Sequence, residues 1–306
     1  MTGLHDLVAE ELGLPVDPRV SKMAAAIAAR HGAASRAVLF YGSCLRQQQL
    51  EGLMLDFYLI VSDYRRAYDK RWLAAANRLI PPNVFYFEHA GLVSKYAVLS
   101  EADFAHECSP AAWTVSTAAR FAQPTRLVWS ADDAAAARMV DIVAEAAPTL
   151  LDWTLPVGGA GGVSYPSELW ARAFGLTFNA ELRAEKLSRP AALVEADPER
   201  YERFGLATLA VLAERHRGPD PTQIHMLMRP DRMARWWRRK QVKGKLYSIA
   251  RLTKASATFA GGADYIAWKI NRHAGTDIVL KPWQRRHPLL AAISLLPRLL
   301  KIGAVR

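Results

Sequence analysis

Two short apolar runs limit what this chain can fold into. The first is Ala37-Val38-Leu39-Phe40-Tyr41, and the second is Leu55-Asp56-Phe57-Tyr58-Leu59-Ile60-Val61. Between them lie Gly42, Ser43 and a short, mostly polar connection. The second run is apolar at successive rather than alternate positions. That pattern belongs to a strand buried on both faces.

The rest of the chain alternates helices and strands. Residues 18–32 read as a helix that stops at Gly32, and Arg66 to Leu79 reads as one ended by Pro81-Pro82. Val84 to Glu88 and Val93 to Leu99 read as two further strands, and Arg126 to Trp129 as an edge strand. Ala111 to Phe121, Ala131 to Leu151, Ser167 to Arg183 and Tyr201 to Arg215 read as helices. The cluster Gly158-Gly159-Ala160-Gly161-Gly162 lacks the Gly-Lys-Ser/Thr ending of a phosphate loop and reads as a connector. The expectation is a mixed α/β (α+β) fold. Residues 1–130 form the sheet domain, 131–228 a helical second domain, and 229–306 a basic C-terminal region.

Charge is unevenly placed. The 306 residues carry a net +11. Residues 229–306 hold 18 Lys and Arg against three acids, a net of +15, which leaves −4 for residues 1–228. A mildly acidic body with a strongly basic end wants a polyanionic partner, a membrane or a nucleic acid. Met233-Ala234-Arg235-Trp236-Trp237-Arg238-Arg239-Lys240 mixes cations with indoles, which suits a membrane interface and also suits stacking on bases. Pro288 to Ile302 has apolar residues at helical spacing and follows Trp283, Arg285 and Arg286. It reads equally as an interfacial anchor or a core helix. No recognisable RNA-binding module is present, which argues against nucleic acid. No apolar run approaches the roughly eighteen residues of a membrane span, and no signal peptide is visible. The expected location is peripheral, on the cytoplasmic side of a membrane. Two cysteines, Cys44 and Cys108, give neither a disulfide framework nor a zinc cluster.

The turn between the first two strands carries the candidate chemistry. Gly42 lets a backbone approach phosphate closely, Ser43 adds a hydroxyl donor, and Asp56 opens the next strand. A carboxylate in so apolar a strand needs a cation or a donor. It can hold the magnesium that a triphosphate carries, or it can pair with a nearby arginine. This is the outline of a nucleotidyltransferase site. Such sites usually carry two acids one residue apart, and here the earlier position is Met54. His89, His225, His273 and His287 are scattered and read as surface or packing histidines.

Phe40-Tyr41-Gly42-Ser43 followed by Met54-Leu55-Asp56-Phe57 resembles the Tyr-Gly-Ser and Met-Ile-Asp-Phe motifs of the mitochondrial-type CTP:phosphatidate cytidylyltransferases, the mitochondrial translocator assembly and maintenance family. Lys95-Tyr96-Ala97-Val98 looks like that family's Lys-Tyr-Gly-Val strand. Ala119-Arg120-Phe121-Ala122-Gln123-Pro124, with Trp113 upstream, looks like its Ala-Gly-Arg…Lys-Pro stretch. Leu176 to Arg183 looks like its Leu-Ser-Tyr-x-Gly-Asp-x-Arg motif, with Glu181 in the place of the acid. The run Ile249 to Lys269, with Gly261, Gly262 and Tyr265, looks like its C-terminal region. The chain departs at Cys44, where the family has glycine, at Ala180, where it also has glycine, and at Glu181, where it has aspartate.

The resemblance implies a magnesium-dependent enzyme that moves CMP from CTP to phosphatidic acid. It implies that Asp56 and Glu181 share the metal, that Gly42 and Ser43 hold the triphosphate, and that Lys95, Arg120 and Arg183 neutralise phosphate oxygens. The alternatives are a nucleotidyltransferase with a soluble or nucleic-acid acceptor, and a non-catalytic membrane-binding protein on the same fold.

Overall fold

A computed structural model describes residues 2–47, 50–157, 166–181, 189–216, 230–258 and 279–286. Its centre is a five-stranded mixed sheet of order β3-β4-β2-β1-β5. The strands are β1 (Ser35–Tyr41), β2 (Met54–Val61), β3 (Asn83–His89), β4 (Leu92–Ser100) and β5 (Thr125–Ser130). β2 and β4 run parallel, and the other neighbours are antiparallel. The Arg126–Trp129 run is an edge strand, as the sequence predicts.

Side chains alternate between the two faces of β2, and each face meets its own core. Leu39, Tyr58, Ile60, Ala97 and Leu99 point into the larger core. That core is closed by α1 (Leu4–Gly13), α6 (Glu101–Cys108), α7 (Ser116–Phe121), α8 (Asp133–Ala144), α9 (Ala146–Thr154), α10 (Pro166–Asn179), α11 (Arg189–Glu195) and α12 (Pro198–Arg215). Val38, Phe40, Phe57, Leu59, Val61 and Val98 point into the smaller core. That one lies under α2 (Pro18–Ala29), α4 (Tyr64–Ala67) and α5 (Arg71–Leu79). The double burial inferred from the β2 run is therefore present.

Helix starts follow their capping residues. Asp17 accepts from the Arg19 amide at 2.8 Å with Pro18 in the first turn, and Asp132 accepts from the Ala135 amide at 2.6 Å. Three predicted helices differ from expectation. The 66–79 helix is broken into α4 and α5 around Tyr68. The 131–151 helix is broken at Glu145, three residues before Pro148 in the first turn of α9, where a missing amide costs nothing. The 111–121 helix begins only at Ser116. Ahead of it, the buried Glu107 carboxylate accepts from the Trp113 amide (2.9 Å) and the Thr114 hydroxyl (2.6 Å), holding that backbone in a loop. The helices α1 and α6 were not anticipated.

The described first part of the basic C-terminal region packs on the body of the protein. Its helix α13 (Pro230–Thr258) reaches the larger core through Trp237, which is 2% exposed and whose Nε1–H donates to the Trp153 carbonyl at 2.8 Å. Trp236 packs beside it on Trp153, with ring centroids 5.1 Å apart and the planes tilted by 39°. Trp237 is thus a core residue and Trp236 packs partly buried against the same core, where the sequence left both open to a membrane interface or to stacking on bases. The final helix expected at 288–302, the glycine cluster at 158–162 and most of the 249–269 run lie outside the described residues.

Candidate active site

The site is built on one face of the sheet by strand register. Tyr41 pairs with Asp56 across β1 and β2, and Asp56 pairs with Lys95 across β2 and β4. Residues directly opposite share a face. All three therefore point toward the helical side, because Asp56 has the parity of Tyr58 and Ile60. Lys95 Nζ lies 3.0 Å from Asp56 Oδ1, and both side chains are mostly covered.

Gly42 follows directly. Its φ is +95°, a conformation that other residues adopt with strain. A Cβ there would stand 2.8 Å from Asp56 Oδ2. Glycine is thus required twice, for the backbone turn and for the space beside the carboxylate. Ser43 opens the short helix α3 (Ser43–Gln47) and is half-buried. Cys44, next in the chain, is buried, and its thiol donates to the Met54 carbonyl at 3.4 Å. Burial, then the Asp56 charge, push its pKa up. It ties the turn to the start of β2, a packing role that a glycine could not fill.

Arg120 and Glu181 arrive from the helices over this face. Arg120 sits near the end of α7, and Glu181 sits two residues past α10. Arg120 Nη1 lies 3.4 Å from Glu181 Oε1 and donates to the Ser116 carbonyl at 2.8 Å and to the Ser116 hydroxyl. Burial alone would lower the Arg120 pKa. The Glu181 carboxylate, the Tyr58 and Tyr41 hydroxyls and the Asp56 carboxylate outweigh it and raise the pKa above the usual guanidinium value. Arg120 therefore feels both acids. Tyr41 is held neutral by burial and by Asp56. Its ring packs on Tyr58 (5.3 Å) and Phe121 (6.1 Å), forming the apolar floor.

The structure thus groups five residues named from sequence around one face: Gly42, Asp56, Lys95, Arg120 and Glu181. Arg183 lies outside the described residues. Sequence reasoning missed the roles of Tyr41, Tyr58, Ser116 and Gln123. The two tyrosines share the parity of Asp56, which would have placed them. Gln123 accepts from Arg46 Nη1 at 3.3 Å and links α3 to α7, a contact with no local signal.

Among the described residues, no group of three or more His, Cys, Asp or Glu is placed to hold a metal ion. Magnesium does not need one, since it is commonly held by one or two carboxylates together with substrate phosphates. The space that Gly42 leaves beside Asp56 Oδ2 suits that arrangement. The chain matches no protein-family model and no curated protein.

Proposed function

We propose that this chain is a magnesium-dependent nucleotidyltransferase that moves CMP from CTP to phosphatidic acid, giving CDP-diacylglycerol and pyrophosphate. The carrying observation is the cross-strand line Tyr41–Asp56–Lys95 with Gly42 packed on Asp56 and the Arg120–Glu181 pair closing over it. A carboxylate beside a glycine turn, ringed by cations, is what a polyphosphate with its ion requires. The choice of CTP and phosphatidic acid rests on the motif resemblance.

In this reading a phosphatidate oxygen forms a bond to the α-phosphorus of CTP, and the bond to the pyrophosphate oxygen breaks. The nucleophile is already an anion, so no strong general base is needed. Magnesium, when bound, would offset charge on the transferring and leaving groups, with Asp56 and Glu181 as its holders. Lys95 and Arg120 neutralise phosphate oxygens, and binding exchanges their present carboxylate partners for substrate. Gly42 keeps room for the triphosphate, and Ser43 donates to it.

The lipid substrate is met at a membrane surface. Among the described residues, no helix is long and apolar enough to cross one. Along α13, Val242 (63% exposed), Leu246 (62%) and Ile249 (53%) form an exposed apolar line at helical spacing. Arg235, Arg238, Arg239, Lys243 and Lys245 are exposed on the same helix. That pairing of apolar and cationic residues supports interfacial docking.

A second reading is a non-catalytic protein on the same fold. It is favoured by the pairing of both acids, Asp56 with Lys95 and Glu181 with Arg120. One experiment separates the two. The protein is incubated with magnesium, phosphatidate vesicles and each of four labelled nucleoside triphosphates. Lipid-phase label should appear with CTP alone, and Asp56→Asn should lower it at least ~100-fold. No label with any nucleotide would reject phosphatidate as the acceptor, and label with another nucleotide would reject CTP.

A further inference from the structure

A cavity of about 990 Å³ lies away from the site just described. It is lined by Tyr64, Arg65, Tyr68, Asp69, Arg71 and Arg78, among others from α4 and α5. Its position is distinct on two counts. Tyr64 and Tyr68 belong to the smaller core, so the cavity is on the opposite face of the sheet from Asp56. It also follows the far end of β2, where Val61 is about 16 Å from Asp56 at roughly 3.3 Å per residue.

The lining charges do not balance. Three guanidinium groups face one lining carboxylate, Asp69, which is exposed. The nearby Asp63 is already engaged: it accepts from the Arg65 amide at 2.7 Å and lies 3.8 Å from Arg78 Nη2. Among the described residues, no carboxylate lies within ion-pairing distance of the Arg65 or Arg71 guanidinium. The electrostatics of α5 add to the imbalance. Its first turn holds no acid, its N-cap residue Lys70 makes no side-chain cap, and Arg71 is its first residue. Cations at the positive end of a helix are repelled by its dipole. A convex face would dissipate such charge into solvent, whereas a concavity concentrates the potential on whatever enters it.

The tyrosines shape the cavity rather than neutralise it. Tyr64 donates to Asp103 at 2.5 Å, and the Tyr68 hydroxyl accepts from Asn77 at 3.1 Å. Their hydroxyls are held, and their rings form the wall. All the lining cations are arginine, the side chain whose planar fork matches phosphate oxygens two at a time. The volume reaches the upper part of the ~300–1,000 Å³ range of small-molecule sites.

We propose that this cavity is a second anion site, which takes a small polyphosphorylated ligand or the phosphate headgroup of an anionic lipid. The proposal does not depend on the function assigned to the first site. Its test uses the full-length protein without divalent metal and reads amide hydrogen exchange. Inorganic tripolyphosphate should slow exchange across residues 64–79. Arg65→Gln with Arg71→Gln should raise the half-saturating concentration for that segment at least ~10-fold, since charge-assisted hydrogen bonds are lost. Protection at residues 40–56 should not change. Both arginines are exposed, so the double variant should keep the melting temperature of the parent. A parallel arm replaces tripolyphosphate with phosphatidylglycerol vesicles. Protection by tripolyphosphate assigns a soluble ligand, and protection by vesicles alone assigns a headgroup. Protection by neither, or protection that survives the double substitution or spreads evenly over the molecule, overturns the proposal.

Discussion

Gly244 of α13 stands against Ala180 so closely that a Cβ at position 244 would lie 2.2 Å from the Ala180 carbonyl oxygen. Ala180 immediately precedes Glu181, the acid paired with Arg120. The same helix reaches the approach to Arg120, because Lys240 Nζ donates to the carbonyls of Ala112 (2.5 Å) and Trp113 (3.0 Å) ahead of α7. One helix thus holds the backbone leading to both members of the pair.

Gly244→Ala tests this. On helix propensity alone, alanine should stabilise α13 by about 1 kcal/mol. The contact predicts the opposite, because backbone cannot yield as a flexible side chain can. We expect a net loss of about 1–3 kcal/mol in chemical unfolding, the range of overpacking. Any transferase activity should fall further than the unfolded fraction explains. A raised unfolding midpoint would show that the contact is not tight.

A second prediction concerns the buried pair that ties the chain's first helix to its later ones. Arg200 is 8% exposed, donates to Glu11 Oε1 at 2.9 Å and reaches the Ala122 carbonyl at 3.3 Å. Glu11 is the main opposing charge around Arg200. Glu11→Ala leaves that guanidinium buried and uncompensated. The expected cost is about 3–5 kcal/mol by denaturant unfolding. Replacing both residues with apolar ones of similar volume should cost much less. Equal losses from the single and double changes would mean that packing, not charge, is at stake.

What could be read from the sequence follows from how local each signal is. β1 and β2 announce themselves by apolar runs, and the Gly42 turn by its glycine. Asp56 could be singled out because a carboxylate in that strand demands a partner. That the partner is Lys95 depends on strand register, which nothing near Asp56 encodes. The loop before α7 was misread as helix because Glu107 captures its backbone from six residues away. The sequence of the basic region does not show which of its indoles are buried, because cations and indoles look alike at a lipid surface and on a protein surface. Trp237 resolves the matter only through its bond to Trp153, 84 residues earlier. Deleting everything after Met228 would therefore remove core, not only charge.

A sharper test of docking leaves Trp237 in place. Arg238 and Arg239 are exposed, while the indole between them and the core is not. Each basic residue near an anionic surface contributes about 1 kcal/mol. Arg238→Gln with Arg239→Gln should weaken binding to phosphatidylglycerol vesicles by about 2 kcal/mol, roughly 30-fold, with the melting temperature unchanged. Raised salt should weaken the parent in the same way, since the attraction is screened. Vesicle affinity indifferent to both changes would remove α13 from the interface.

The last prediction is a pH dependence at the far end of α13. Arg251 Nε donates to the Pro81 carbonyl at 2.7 Å, and Lys254 Nζ donates to the carbonyls of Pro82 (2.8 Å) and Ile80. These contacts fasten the helix to the turn before β3. Burial, and then the neighbouring Arg251 charge, lower the Lys254 pKa to about 7 from an ordinary 10.5. Between those two values the unfolded chain keeps a proton that the folded one has released. Folding stability must therefore rise with pH across that window. Below about 7 the lysine is charged in both states, and the full penalty of burying it is present. Against Lys254→Met, which lacks the titration, the parent should gain stability steadily from pH 7 toward 10, as read by urea midpoints at matched pH. Groups that titrate in both proteins cancel in that difference. Parallel midpoint curves for the two proteins would mean that Lys254 keeps its proton throughout and that the turn carbonyls bind it as an ordinary ammonium.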